Sequence, residues 1–259
     1  MEMLISSSIY ENPKYYEIAF SFRDIAAEVD VLEDCFKRFS RIPVKSVLEL
    51  ACGNCPHMKE LISRGYRYSG IDLNETMVEY SRKKALESDV KAEIARGDMV
   101  GFFAEEEFDF IYVMLGSLFV KNTNELKTHF ASVASSLKKG GLYFLDGCIT
   151  NEPLWMKGVQ SWEIIRDGIK IRTTVSWALV DRVEKTVEEY ILLQVNEQRK
   201  MFFIAGTDTK KAFSPDEFRN FIEQSQYFEL VGWWNNWDLT QPLGKAETIN
   251  RPIVVIRKL

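Results

Sequence analysis

Three acidic residues close three apolar runs. Glu49 lies in the segment from Val47 to His57 (VLELACGNCPH), Asp72 in GIDLN (Gly70 to Asn74), and Asp98 in RGDM (Arg96 to Met99). Small residues at Ala51 and Gly53 let a ligand approach the backbone closely. A helix starting at Pro56 offers free N–H groups and partial positive charge, which suit a carboxylate. Glu49 and nearby carbonyls suit an ammonium group. Asp72 suits the two hydroxyls of a ribose. Asp98 suits an adenine amino group, with the Met99 backbone beside the ring. Together the three ends describe a nucleoside that carries an amino acid and has no phosphate.

The elements that hold these residues alternate. Residues 24–39 have helical apolar spacing, Val44 to Leu50 reads as a buried strand, and a helix from Pro56 stops at Arg64-Gly65. Tyr66 to Leu73 is a strand, and Asn74 caps a helix to about Ser88. Strands follow at residues 92–95 and 108–114. A helix over residues 124–138, closed by Gly140-Gly141, leads to a strand at residues 142–147. This alternation predicts an α/β fold, a Rossmann-like, mostly parallel sheet with helices on both faces. After Thr150 the pattern changes to strands at 162–166, 169–180, 186–195 and 201–205, with Asp167-Gly168 as a hairpin turn. This is read as an inserted antiparallel β subdomain. Ser214-Pro215 opens a helix, and two strands, 228–234 and 252–256, end the chain. The expected organisation is an N-terminal helical cap over residues 1–43, a ligand-binding core over 44–150, the insert over 151–211 as acceptor lid or dimer contact, and a closing unit over 212–259.

The 259 residues are 46% hydrophobic and 27% charged, enough for a substantial core. A formal net charge of -5 without a dense basic cluster argues against nucleic acid as a partner. No apolar run reaches the roughly 18–20 residues of a membrane span, and the first residues lack a secretory pattern. Four scattered cysteines do not make a disulfide scaffold. The expected location is cytoplasmic, with a small-molecule partner, no membrane and a possible homodimer.

The ordered series ELACGN, GIDLN, RGDM, FDFIYVMLGSLF and LKKGGLYFLD, over residues 45–150, resembles class I S-adenosylmethionine-dependent methyltransferases. PKYYEIAFSFRD (Pro13 to Asp24) resembles the small-molecule branch, including amino-sugar and glycine-type N-methyltransferases. The resemblance implies a seven-stranded sheet with its last strand antiparallel. It also implies S-adenosylmethionine as cofactor, S-adenosylhomocysteine as product, and N- or O-methylation of a small molecule. Cofactor contacts would come from Glu49, Ala51, Gly53, Asp72, Leu73, Asp98, Met99 and Met114, with Tyr16 and Arg23 reaching the methionine end. No catalytic base is assigned; Tyr16 and Ser117 are places to look. The family's three small loop positions are Ala51, Gly53 and Cys55 here, so two of them are not glycine.

Other readings have less behind them. Cys52 and Cys55 between a strand and a helix have thioredoxin-like spacing, and with His57 they offer three zinc ligands. No second such pair exists to complete a metal site, and none is expected. A nicotinamide-dependent oxidoreductase needs G-x-G-x-x-G for pyrophosphate, and two of those glycines are missing. An inactive or regulatory cofactor-binding protein of the same fold is the remaining alternative. His129 is assigned to packing or solvent, and the six tryptophans to sheet packing ahead of cation binding.

Overall fold

The computed structural model describes residues 5–6, 8–104, 107–150 and 152–259. Residues 1 and 151, where the N-terminal cap and the insert were expected to begin, lie outside that set. In chain order the first half comprises β1 (Ile5–Ser6), α1 (Pro13–Ala19), α2 (Ile25–Phe39), β2 (Ser46–Leu50), α3 (Met58–Ser63), β3 (Arg67–Asp72), α4 (Glu75–Glu87), β4 (Glu93–Arg96) and β5 (Phe108–Val113). The second half comprises α5 (Thr123–Ser136), β6 (Leu137–Asp146), β7 (Gln160–Arg166), β8 (Ile169–Asp181), β9 (Thr186–Glu197), β10 (Lys200–Lys211), α6 (Pro215–Gln224), β11 (Phe228–Trp234) and β12 (Ile253–Lys258).

Seven strands form one sheet in the order β11-β12-β6-β5-β2-β3-β4. The five from β2 to β6 run parallel, and β12 lies antiparallel between β6 and β11. Every residue of β2 and β5 is buried, because helices cover both faces. Phe130 of α5 and Phe218 of α6 fill one side; Leu32 of α2, Leu61 of α3 and Val78 of α4 fill the other. The caps follow the sequence: Asn74 accepts from the Met77 N–H at 3.0 Å and Asn122 from the Glu125 N–H at 2.9 Å.

Boundaries differ from expectation at two places that matter to the sheets. Helix α5 stops at Ser136, and Leu137 already pairs with Phe108. The Gly140-Gly141 pair therefore serves the sheet and not a helix end. The ladder slips between Phe108 and Phe110, so residues 138–141 bulge. Gly140 takes φ +82°, and a Cβ on Gly141 would lie 2.6 Å from the Asp109 carbonyl oxygen. The other difference is β10, which continues past Ala205 to Lys211, paired throughout with β9. Gly206 and the polar residues after it imitate a strand end.

The insert forms a second sheet, in the order β1-β10-β9-β8-β7. Strands β7 to β10 are an antiparallel meander, and β1 joins β10 in parallel. The inner face carries Ile171, Val175, Ile191 and Leu193, which pack on Ile9, Ile18 and Ala19. The N-terminal segment thus shares its core with the insert. It also reaches the main sheet's helices: Glu17 accepts from the Tyr80 hydroxyl at 2.5 Å and pairs with Lys84 at 3.2 Å, both on α4. Among the described residues no helix is long and apolar enough to cross a membrane.

Candidate active site

The loop after β2 alternates its backbone hand. Ala51, Gly53 and Cys55 all have positive φ, at 49°, 50° and 46°. This left-handed region is free for glycine and costs other residues about 1–2 kcal/mol. The three small positions read from the sequence are therefore the three left-handed ones, and two of them carry the strain. The loop is pinned from β3: Asp72 accepts from the Gly53 N–H at 2.8 Å through one oxygen, and from the Asn74 N–H at 2.9 Å through the other. A carboxylate accepts about four hydrogen bonds, so capacity for ribose hydroxyls remains. Burial pushes the Asp72 carboxyl up, opposed by the two N–H donors.

Two adjoining cavities open at this loop. The larger, about 530 Å³, is lined by Gly53, Asp72, Leu73, Asp98 and Met99 on the core side. The smaller, about 200 Å³, is lined by Arg23, Glu49 and Met114. Tyr16, Ala51 and Ser117 belong to both and mark the junction. All ten residues singled out from the sequence thus line this one double cavity.

Several of them are engaged differently from expectation. The Met99 carbonyl accepts from His129 Nδ1 at 2.7 Å, with Tyr143 on the other ring nitrogen at 2.8 Å. His129 is fully buried, as packing implies, and its hydrogen bond supports the Met99 backbone behind the larger cavity; it is not solvent-exposed. The Met114 carbonyl accepts from the Ser117 N–H at 3.0 Å. Helix α3 begins at Met58 and not at Pro56, behind a buried His57, so its N-terminus is not the bare anion site expected. The cations lining the smaller cavity are Arg23, Lys84 and Arg166.

Glu49 is 2% exposed and anchored below the loop. Its Oε2 accepts from the hydroxyls of Tyr68 at 2.5 Å and Tyr112 at 3.0 Å, and its Oε1 lies 3.3 Å from His57 Nδ1. His57 Nε2 lies 3.0 Å from Glu28 Oε2. Burial alone would lower the His57 pKa; the charge of Glu49 and the bond to Glu28 outweigh it, and the net direction is up. Glu28 also takes Arg23, at 3.0 Å through Nε, and Arg251, at 2.7 Å. Arg251 continues to Asp146 at the end of β6, and Asp146 accepts from the Leu115 N–H at 2.8 Å. A chain of buried charges therefore runs from the glycine loop to the loop after β5. Sequence reading missed it because its members are dispersed along the chain and no local pattern joins them.

The Cys52 and Cys55 thiols are buried, and their mutual hydrogen bond, then burial, pushes the Cys52 thiol well up. A redox centre needs the opposite shift. His57 turns its ring nitrogens to Glu28 and Glu49. The tryptophans pack: Trp237 stacks under Arg251 at 4.6 Å and donates to Asp146 at 2.8 Å, and Trp162 donates to the Ala19 carbonyl at 2.7 Å.

The second sheet supplies the wall opposite the core. Asp208 of β10 lines the larger cavity with Tyr10, whose hydroxyl donates to it at 2.9 Å. Glu189 of β9 accepts from Trp177 at 2.6 Å and Lys210 at 2.8 Å. A signal existed for Asp208 and Lys210: even positions of β10 run Phe202, Ile204, Gly206, Asp208, Lys210, so charge enters an otherwise apolar face.

Residues 47–141 match the family model described as a methyltransferase domain. The fold is that of the class I methyltransferases. Among solved structures, an S-adenosylmethionine-dependent methyltransferase of Clostridium acetobutylicum superposes with TM-score 0.77 at 17% identity, covering 94% of this chain and 96% of that one. An S-adenosylmethionine-bound amino pentose methyltransferase of Micromonospora echinaspora gives TM-score 0.70 at 16% identity over the whole of both chains. A dTDP-3-amino-3,4,6-trideoxy-alpha-D-glucopyranose N,N-dimethyltransferase of Streptomyces venezuelae is 30% identical over 135 residues, 51% of this chain and 52% of that protein. The chain thus spans about half the length of the curated relatives it matches. The seven-stranded sheet with its last strand, β12, antiparallel is what the motif series implied.

Proposed function

We propose that this protein transfers a methyl group from S-adenosylmethionine to the amino group of a small molecule of the amino-sugar class. The observation that carries the reading is the double cavity. Two acids at successive strand ends line its larger part, a buried carboxylate and an arginine line its smaller part, and the two parts meet at Tyr16 and Ser117.

The residues fit the cofactor piece by piece. Asp72 and Leu73 would hold the ribose, and Asp98 and Met99 the adenine. Arg23 would face the methionine carboxylate, and Glu49 with the Met114 carbonyl its ammonium. The cofactor supplies an electrophilic methyl on sulfur, and the protein orients it and excludes water. Tyr16, at the junction, is held protonated by burial and by the charge of Asp72. It therefore serves as a donor and an aromatic wall, not as a base. The N-methyltransferase relatives support nitrogen as the atom that receives the methyl group.

Calorimetry with purified protein and S-adenosylmethionine tests the cofactor, with a roughly micromolar dissociation constant expected. Asp72→Ala removes both the ribose acceptor and the pin on Gly53, and affinity should fall about 10- to 100-fold. Absence of heat with the wild type, or an unchanged constant in the variant, would sink the reading.

A further inference from the structure

The lid-side wall carries a negative charge that the cofactor does not need. Asp72 and Asp98 come from the core sheet and are matched by ribose and adenine. Asp208 comes from β10, and it lines the same cavity from across it. Among the described residues no direct ion pair reaches its carboxylate, although the charge of Lys210 acts on it. Tyr10 gives Oδ2 one neutral hydrogen bond. Lys210, the cation on the same strand and face, bonds to Glu189 and to the Gly116 carbonyl at 3.2 Å. Glu189 lies directly opposite Asp208 in the ladder, so the lysine balances one of two neighbouring carboxylates.

The position of this group relative to the junction is fixed by its contacts. Gly116 precedes Ser117, which lines both cavities. The Tyr10 ring that holds Asp208 is 5.7 Å from that of Tyr16, the other junction residue. Burial and the charge of Glu189 push the Asp208 carboxyl up, while the Tyr10 hydroxyl and Lys210 pull against them. A cation entering the larger cavity on the β10 side, next to the junction, would answer this charge, and a neutral hydroxyl would not.

We infer that Asp208 is the specificity-determining residue on the acceptor side: it pairs with the incoming amine as its ammonium and accepts the proton that the nitrogen must lose before its lone pair attacks the methyl carbon, the S–C bond breaking as the N–C bond forms, and so it selects amines over alcohols. The inference rests on the proposed methyl transfer and adds the chemistry of the second substrate. A charge-assisted hydrogen bond of this kind is about twice as strong as a neutral one.

The test needs no knowledge of the natural acceptor. Sinefungin is the cofactor analogue in which an amine-bearing carbon replaces the methyl-bearing sulfur, so its ammonium sits at the methyl position, aimed at the acceptor wall. S-adenosylhomocysteine has nothing there. Calorimetry on the wild type should give sinefungin an advantage of about tenfold or more over S-adenosylhomocysteine, equivalent to about 1.4 kcal/mol. In Asp208→Asn, which still accepts from Tyr10, the advantage should fall at least fivefold while S-adenosylhomocysteine affinity stays put. Equal affinities in the wild type, or an advantage that survives Asp208→Asn, overturns the inference. Failure of the wild type to bind S-adenosylhomocysteine is a different result: it removes the cofactor reading, and this inference falls with it.

Discussion

Arg251 and Asp146 meet through three hydrogen bonds of 2.8 to 3.1 Å, across 105 residues of chain. The guanidinium lies against the carboxylate as a fork, the geometry in which arginine is not replaceable by lysine. Its third nitrogen reaches Glu28. One side chain from the loop before β12 thus ties the end of β6 to the helix that precedes the glycine loop.

Arg251→Ala leaves two buried carboxylates short of a cation. The expected loss is about 3 kcal/mol, the scale for breaking a buried pair by removing one partner. Arg251→Lys should recover the charge but not the fork, and fall between alanine and wild type. Urea denaturation midpoints at neutral pH measure both. A loss below about 1 kcal/mol for alanine would show that solvent, which reaches this side chain, substitutes for it.

His129 makes stability fall in mild acid. Burial lowers its pKa from the ordinary 6.5 to about 4. A group depressed in the folded state contributes stability that is complete above its unfolded pKa and lost as pH falls towards the folded one. The window is therefore pH 6.5 down to about 4. The size is about 2–4 kcal/mol at 1.36 kcal/mol per unit. His57 has the opposite sign: its raised pKa contributes below the unfolded value and is lost as pH rises. His129→Gln should flatten the acid limb between pH 6.5 and 4 in a thermal or urea series. A limb of unchanged slope would assign it to the carboxylates instead.

The loop after β2 predicts an asymmetry between neighbouring substitutions. Ala51→Gly relieves left-handed strain while loosening the unfolded chain, and the two effects, each about 1 kcal/mol, nearly cancel. Gly53→Ala introduces the strain and costs about 1 kcal/mol of stability. Its Cβ meets only Tyr16 Cε1, at 3.8 Å, so the fold accepts it. The space it fills is where the proposed cofactor would lie, so cofactor affinity should drop more than tenfold. Equal affinity in Gly53→Ala would place the ligand away from this loop.

What could be read in the sequence was local. Asp72 and Asp98 each follow a strand signal within a few residues, and the loop's small positions lie within five residues of one another, so the residues that line this side of the cavity were visible. The alternation of β2 to β6 with their helices gave the sheet for the same reason. What was hidden is non-local. Glu28, Arg251 and Asp146 come from three distant segments, and only the folded sheet brings them together. Asp208 was missed because the strand holding it appeared to end at Ala205, before its alternation turned polar. Gly140-Gly141 was misread because a glycine pair at a helix end and one in a bulge look alike without the opposing Asp109 backbone.

Helix α1 is bonded on two sides. Glu17 holds it to α4, and Tyr15 donates to Glu197 at the far end of β9 at 2.7 Å. Between those ties Tyr16 covers the neck where the two cavities join. A ligand long enough to fill both has to be threaded under a strap fastened at each edge. Loading and unloading would then keep time with the unfastening of α1, and turnover would be set by that latch and not by the speed of the methyl step.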